Sequence, residues 1–421
     1  MRIYKSSKFN KSTLNEYLFI IPWIVIFTLF GAVMQPDIVK FHIGIRYEIL
    51  LLVFLVCNLT FFLFVILSYN LKYLRTSDIL ICIIFLLQIS LIFKNYAISG
   101  DLRNTWLIYS FLFYFIGRSC NYSSVFKVKH FLKGLIISAV IHVLASVLLK
   151  IAFFTGIENL ILVGAEISGF KWQGYFINRA TGFFSSPLTL SGFLLIALML
   201  LTYFVLEQGR FYYIYIFILV GFLLTMSRGS FIAFIVFNFI IFLLKPRLVY
   251  NKIVLSTWFS VSIIMFIAVT KDIISFERIF SSSSLSVSID TRLNNHSYHL
   301  EQWVGNPLSL LFGDSSNQLG IDSDFLNYLF NLGLIVSVFY CVLLVYLSVF
   351  HRKSAFGTYL SAGFVAKILD SMLSGSSLGP PSSFAVMYLL GLWVNIAFNS
   401  QNWSIYDVKR KNVEGKIKPE F

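Results

Sequence analysis

Long apolar runs, repeated from one end of the chain to the other, decide what it can fold into. A helix needs about 20 apolar residues to cross a bilayer. Within hydrocarbon only helices and closed barrels satisfy their own backbone. About twelve runs qualify as helical spans. They are Leu14–Met34, Tyr47–Tyr69, Ser77–Phe93, Thr105–Ile116, Phe131–Phe154, Phe184–Leu206, Phe211–Met226, Ser230–Leu244, Ile253–Thr270, Asp322–Phe350, Ala355–Leu373 and Phe384–Phe398. The expected fold is therefore an all-α polytopic membrane protein of about 12 transmembrane helices, one membrane domain over residues 1–421. Only 12% of residues are charged and mean hydropathy is +0.81, where a soluble domain carries about 25% charged residues.

The formal net charge of +14 raises the question of nucleic acid, which the distribution of the charge answers in the negative. With the N-terminus cytoplasmic, inner segments collect 21 Lys and Arg against 11 in outer ones, with Lys367 inside a span. That is the bias that cytoplasmic loops of membrane proteins show, and it puts both termini inside. The basic start followed by an apolar run reads as a first span that is retained, not a cleaved signal. Cys57, Cys82 and Cys341 fall in spans and Cys120 in an inner loop, so no disulfide framework is indicated.

Two outer loops are long, at residues 155–183 and 271–321. The polar stretch from Lys271 to Phe330 is the longest break in the apolar pattern. It carries Arg278, Arg292, His296, His299, Asp290, Glu301, Asp314, Asp322 and Asp324. Loops of this kind carry recognition and chemistry while spans carry packing, so the working face is expected outside.

Three outer arginines stand out. Arg179 precedes the sixth span, Arg228 sits between two spans with almost no loop, and Arg292 lies in the long loop beside Asp290. Basic side chains at span ends can simply snorkel to the head groups. An outer arginine, however, runs against the inward bias of basic residues, and an anionic ligand would explain it. Ser227-Arg228-Gly229-Ser230 is a small turn opening a helix, the setting in which backbone N–H groups meet phosphate. Asp322 and Asp324 read either as first-turn acids that suit the helix dipole or as a carboxylate able to take a proton from a hydroxyl. His296 and His299 are rival bases, and Glu301 is comparable. Lys367 and Asp370, spaced i, i+3 in the eleventh span, read first as a structural ion pair. No nucleotide-binding loop, metal-ligand spacing or nucleophile elbow occurs, and no cofactor is expected.

Several short pieces, in this order, resemble the O-antigen polymerase and ligase superfamily of bacterial membrane glycosyltransferases (the Wzy/WaaL type). They are Arg179-Ala-Thr-Gly182-Phe-Phe-Ser-Ser-Pro187, Ser227-Arg228-Gly229-Ser230, the loop with Arg292, Trp303 and Gly305-Asn306-Pro307, then Phe312-Gly313-Asp314 and Asp324-Phe-Leu-Asn-Tyr-Leu-Phe-Asn-Leu-Gly333. They cover roughly residues 171–350; the first five spans match only in hydropathy. The resemblance implies metal-independent transfer of an oligosaccharide from undecaprenyl diphosphate, at the periplasmic face of the bacterial inner membrane. A polysaccharide chain-length regulator would be a further partner. Ligases of that superfamily commonly carry a His-Asn pair where this chain reads Ser323-Asp324-Phe325-Leu326-Asn327, which favours polymerase over O-antigen ligase. Arg228 and Arg179 would then stabilise the departing diphosphate; Arg292 would bind the diphosphate or orient the acceptor sugar, Arg278 and Asp322 would join them in binding the diphosphate or sugar, and Asp324 or His296 would be the base. A rival from another class is a twelve-span lipid-linked oligosaccharide flippase or transporter, for which repeat-related halves would be expected.

Overall fold

The computed structural model describes residues 19–28, 78–87, 90, 106–119, 128–154, 186–225, 227–245, 307–312, 355–374 and 382–398, with residues 180, 182, 184, 294, 297, 301, 333–335, 337 and 338. Among these residues the regular structure is entirely helical. We number the helices α1 (Phe19–Thr28), α2 (Asp78–Leu87), α3 (Trp106–Ser119), α4 (Val128–Phe154), α5 (Pro187–Gln208), α6 (Tyr212–Leu224), α7 (Arg228–Leu244), α8 (Pro307–Phe312), α9 (Ala355–Leu373) and α10 (Ser382–Phe398). α4, over Val128–Leu148, and α5 are long and apolar enough to cross a membrane; α1, α2, α6, α7 and α10 hold shorter apolar stretches. The expected spans Tyr47–Tyr69 and Ile253–Thr270 lie outside the described residues, as does most of Asp322–Phe350.

Helix α5 is the axis of the assembly. Ser186 caps its start by accepting from the Leu188 N–H at 3.1 Å, and Pro187 fills the first turn. Both choices suit a helix start, where four N–H groups lack partners and proline loses nothing. Gly209, with φ of 65°, closes the other end, in the left-handed conformation that glycine adopts freely. Between these caps nearly every side chain is buried. Polar residues within the apolar helices bond back one turn: Thr202 donates to Leu198 O at 2.7 Å, Asn238 to Phe234 O at 2.8 Å and Ser361 to Gly357 O at 2.9 Å.

Ring pairs fix the helix directions. Tyr203 on α5 meets Phe356 and Tyr359 at the start of α9, while Ser191, at the opposite end of α5, lies in the cluster that Asp370 closes on α9. α5 and α9 are therefore antiparallel. α7 runs with α5, since Ser191 meets Ser230 at one end and Glu207 meets Lys245 at 3.1 Å at the other. α1 runs with α4, stacking Phe19 on His130 and seating Phe27 O on His142. α3 and α10 run together and touch backbone to backbone: a Cβ on Gly117 would strike Tyr388 O, and one on Gly391 would strike Tyr114 O. Small residues allow this approach, which helix pairs in membranes use for packing contact. Tyr388 then reaches across to stack on Phe131 of α4 at 3.7 Å.

The outward faces are apolar too. α7 exposes Ile232, Ile235, Phe239, Phe242 and Leu243, α2 exposes Ile79, Ile83 and Leu86, and α4 exposes Leu144 and Leu148. A surface helix in water has a polar outer face; a helix apolar all round is either interior or lipid-facing.

Candidate functional site

Three chain segments converge where α5 and α7 begin and α9 ends. The first precedes α5: Ala180 donates its N–H to Leu224 O at 2.9 Å, and Gly182, with φ of 58°, lies against His142. A Cβ at Gly182 would stand 3.0 Å from His142 O and 3.1 Å from Nδ1, so both the backbone conformation and the space call for glycine. Phe184 stacks on the His142 ring at 4.1 Å, and the far nitrogen of that ring, Nε2, lies 3.0 Å from Phe27 O.

The second segment is the turn between α6 and α7. Thr225 ends α6 with its hydroxyl on Phe222 O at 2.6 Å. Ser227 then caps α7, its carbonyl accepting from Phe231 N at 3.0 Å, and Arg228 is the first helical residue. Arg228 is half-buried, whereas Gly229 and Ser230 are buried. The sequence suggests that Gly229 and Ser230 serve an open, anion-binding turn. Their packing accounts for them differently. A Cβ on Gly229 would collide with Ser374 Oγ and come within 2.9 Å of Leu373 Cβ. Glycine is needed there because α9 passes so close.

The third segment is the end of α9. Lys367 Nζ donates to Asp370 Oδ2 at 2.6 Å, with both side chains almost wholly buried. Asp370 Oδ1 accepts from Ser230 Oγ at 2.6 Å, and Ser230 Oγ accepts from Ser227 Oγ at 3.1 Å. Ser191 Oγ lies 2.9 Å from Ser230 Oγ. Each hydroxyl has a single proton to give, so Ser227 to Ser230 to Asp370 forms a directed chain. Lys367 also reaches Gly192 O at 3.4 Å. One carboxylate therefore gathers α5, α7 and α9 around the helix start that carries Arg228. Unpaired polar atoms are costly in a low-dielectric interior, so this network fixes the position of that start.

The pairing of Lys367 with Asp370 follows from their spacing in the sequence. Ser191 and Ser230 were not legible as its partners, because no local pattern relates them to a carboxylate on α9. Arg179, Arg278, Arg292, His296, His299, Asp322 and Asp324 lie outside the described residues. Glu301 is helical and exposed. Among the described residues, no three His, Cys, Asp or Glu side chains stand together as metal ligands would.

A second buried polar cluster lies at the opposite end. Asp78, at the start of α2, receives Arg118 Nε at 2.7 Å on Oδ1 and Arg118 Nη2 at 2.7 Å on Oδ2, and Tyr114 Oη at 2.7 Å on Oδ1. The sequence reading counts Arg118 among the inner-segment charges; the structure buries it in a bidentate pair. An acid opening an apolar run was the available signal. No protein-family model, curated protein or solved structure matches this chain.

Proposed function

We propose that the chain is a polytopic membrane glycosyltransferase that polymerises undecaprenyl-diphosphate-linked oligosaccharide repeats into O-antigen or a related surface polysaccharide. The observation that carries this reading is the placement of Arg228, a half-buried cation on a helix start that α5 and α9 hold in register. The residue following Arg179 is bonded to Leu224, four residues before Arg228, which supports the pairing of the two arginines at one diphosphate. Diphosphate departure from an anomeric carbon develops negative charge, and preorganised arginine donors stabilise it. The acceptor hydroxyl needs a base, for which Asp324 and His296 remain the candidates. Asp370 is not one, since both its oxygens are engaged.

The membrane setting draws support from the outward apolar stripes on α2, α4 and α7 and from the alternating directions of α5, α6 and α7. The twelve-span count, with both termini cytoplasmic in a bacterial inner membrane, rests on the sequence pattern. The buried Lys367–Asp370 pair also suits a transporter interior. The lipopolysaccharide banding pattern of a deletion strain separates the two. A polymerase loss leaves core plus one repeat, and wild type but not Arg228→Ala restores the ladder. Core alone points to a flippase or ligase, and an unchanged ladder rejects the O-antigen polymerase reading.

A further inference from the structure

The proposed chemistry leaves one buried imidazole without a task. His142, on α4, is 0% exposed. Its Nε2 lies 3.0 Å from Phe27 O near the end of α1. A carbonyl only accepts, so Nε2 carries the proton and donates. One turn earlier, on the same face of α4, Ser138 makes a second link to α1. Its hydroxyl donates to Ile24 O at 3.3 Å and accepts from Thr28 Oγ1 at 3.1 Å. The imidazole is therefore fixed in angle as well as in place. Phe193 of α5 meets it edge-on at 5.6 Å, and one face carries Phe184, stacked at 4.1 Å and 19° from parallel.

Ala180, Gly182 and Phe184 precede α5, and all three are buried. Phe184 rests on the ring, and Gly182 passes so close that a Cβ there would stand 3.1 Å from Nδ1. Ala180 gives its N–H to Leu224 O at 2.9 Å. The next residue of α4 holds the other partner of that bond. A Cβ on Gly221 would collide with Val143 Cγ2, so α6 lies directly on α4 one turn before Leu224. Adjacent α4 residues thus carry both sides of the Ala180–Leu224 contact, His142 the segment ahead of α5 and Val143 the helix that leads to Arg228. Packing alone would need only a ring. Imidazole adds an N–H donor to its aromatic face, so α1 sets the angle at which Phe184 is received.

We propose that His142 is a positioning residue: it seats Ala180, Gly182 and Phe184 against the end of α6, and so registers the backbone that follows Arg179 in the sequence with the helix start that carries Arg228. The seat stands on these contacts; its bearing on catalysis rests on the glycosyltransferase reading. His142 acts through that backbone and not on substrate.

The test is hydrogen exchange of the full-length protein in phosphatidylcholine nanodiscs, read by mass spectrometry on the peptides that hold Ala180. The same preparations are then assayed with an undecaprenyl-diphosphate-linked repeat. In unaltered protein the Ala180 amide is expected to be protected. His142→Ala should speed its exchange about fivefold, the equivalent of one lost aromatic contact, while α4 and α5 exchange as before. On the glycosyltransferase reading kcat should fall at constant KM, since the loss is felt only as the diphosphate departs. His142→Phe keeps the stacking face without the donor and should recover part of both. Should His142→Ala fold poorly, Phe184→Leu removes the same stack from the other side and should open the same amide. Unchanged Ala180 exchange in both variants would overturn the proposal. So would exchange rising uniformly through the helices in both, the mark of residues that serve folding alone, or an unprotected Ala180 amide in unaltered protein. The parent reading fails separately: local opening at Ala180 in a protein whose deletion leaves the ladder unchanged keeps the seat and removes the polymerase. A ladder that needs Arg228, with Ala180 exchange indifferent to His142, does the reverse.

Discussion

Two buried ion pairs stand at opposite ends of the helices, and they differ in what they hold. Asp78 and Arg118 face each other across two helices in a bidentate grip, with the Tyr114 hydroxyl completing one oxygen. Their contact is closed: the carboxylate meets a planar fork of matching geometry, and both side chains are 4% exposed or less. Lys367 and Asp370 lie on a single helix instead, and the second oxygen of Asp370 is given to Ser230 on α7. The first pair fastens two elements. The second shares its carboxylate with a neighbour close to the half-buried Arg228. A carboxylate shared in this way sets the position of another helix's start, which a self-contained pair cannot do.

Breaking either pair has the largest expected effect. Removing one partner of a buried pair leaves an uncompensated charge and costs about 3–5 kcal/mol. Asp78→Ala and Asp370→Ala should therefore both lower membrane abundance and the thermal stability of the purified protein. They should differ per surviving molecule. On the proposed polymerase reading, Asp78→Ala protein should polymerise at the wild-type rate once amounts are equalised by immunoblot, whereas Asp370→Ala protein should not. Equal specific activities would erase the distinction between fastening and positioning.

A gentler pair of changes sharpens it. Replacing a whole buried ion pair by apolar residues of similar size is often neutral or stabilising. Lys367→Met with Asp370→Leu should restore abundance and thermal stability close to wild type, yet leave Ser230 without its acceptor. Ladder length should then fall while protein amount does not. Recovery of a full ladder in that double variant would show that the pair serves stability alone.

How much of this is legible in the sequence follows the range of each signal. The expected span Phe184–Leu206 comes within three residues of α5 at each end, because caps and proline act locally. The expected span Ala355–Leu373 coincides with α9, and Ser230–Leu244 with all but the first two residues of α7. Lys367 and Asp370 pair through one helical turn, so their spacing suffices. Ser230 meeting Asp370 spans 140 positions, and Asp78 meeting Arg118 spans 40. Contacts of that kind depend on which helix faces which, and a uniformly apolar span carries no stripe to say so. For the same reason Gly229 reads as part of an open turn, when the close passage of α9 is what requires it. Arg228 stands out in the sequence because the expected topology puts it on the outer side, where a cation breaks a global bias, not a local one.

Ser230→Ala probes the shared carboxylate with less damage. Interhelical hydrogen bonds within membranes average about 0.6 kcal/mol and reach about 1.7, so the thermal shift should be small. Asp370 keeps Lys367, and the loss falls on the link between α9 and the start of α7. The expected outcome is near-normal abundance with a shortened ladder, and Ser230→Thr should recover length if the hydroxyl fits. A wild-type ladder in Ser230→Ala would place the positioning of Arg228 elsewhere.

The smallest effect belongs to the other contact between α5 and α7. Glu207 and Lys245 meet at 3.1 Å with 23% and 26% of their side chains exposed. Pairs of this sort contribute about 0.2–1 kcal/mol and weaken in salt. Glu207→Gln should therefore change thermal stability little at low ionic strength, not at all in high salt, and leave ladder length as it was. α5 and α7 run side by side between this pair and the Ser191–Ser230 contact. If both ends contributed alike, shortening of the ladder would follow from loosening either one. Activity sensitive to Ser230 and indifferent to Glu207 assigns the registration of Arg228 to the hydroxyl end. A shortened ladder in Glu207→Gln would mean that α7 is held along its whole length, and that the carboxylate of Asp370 is one fastening among several.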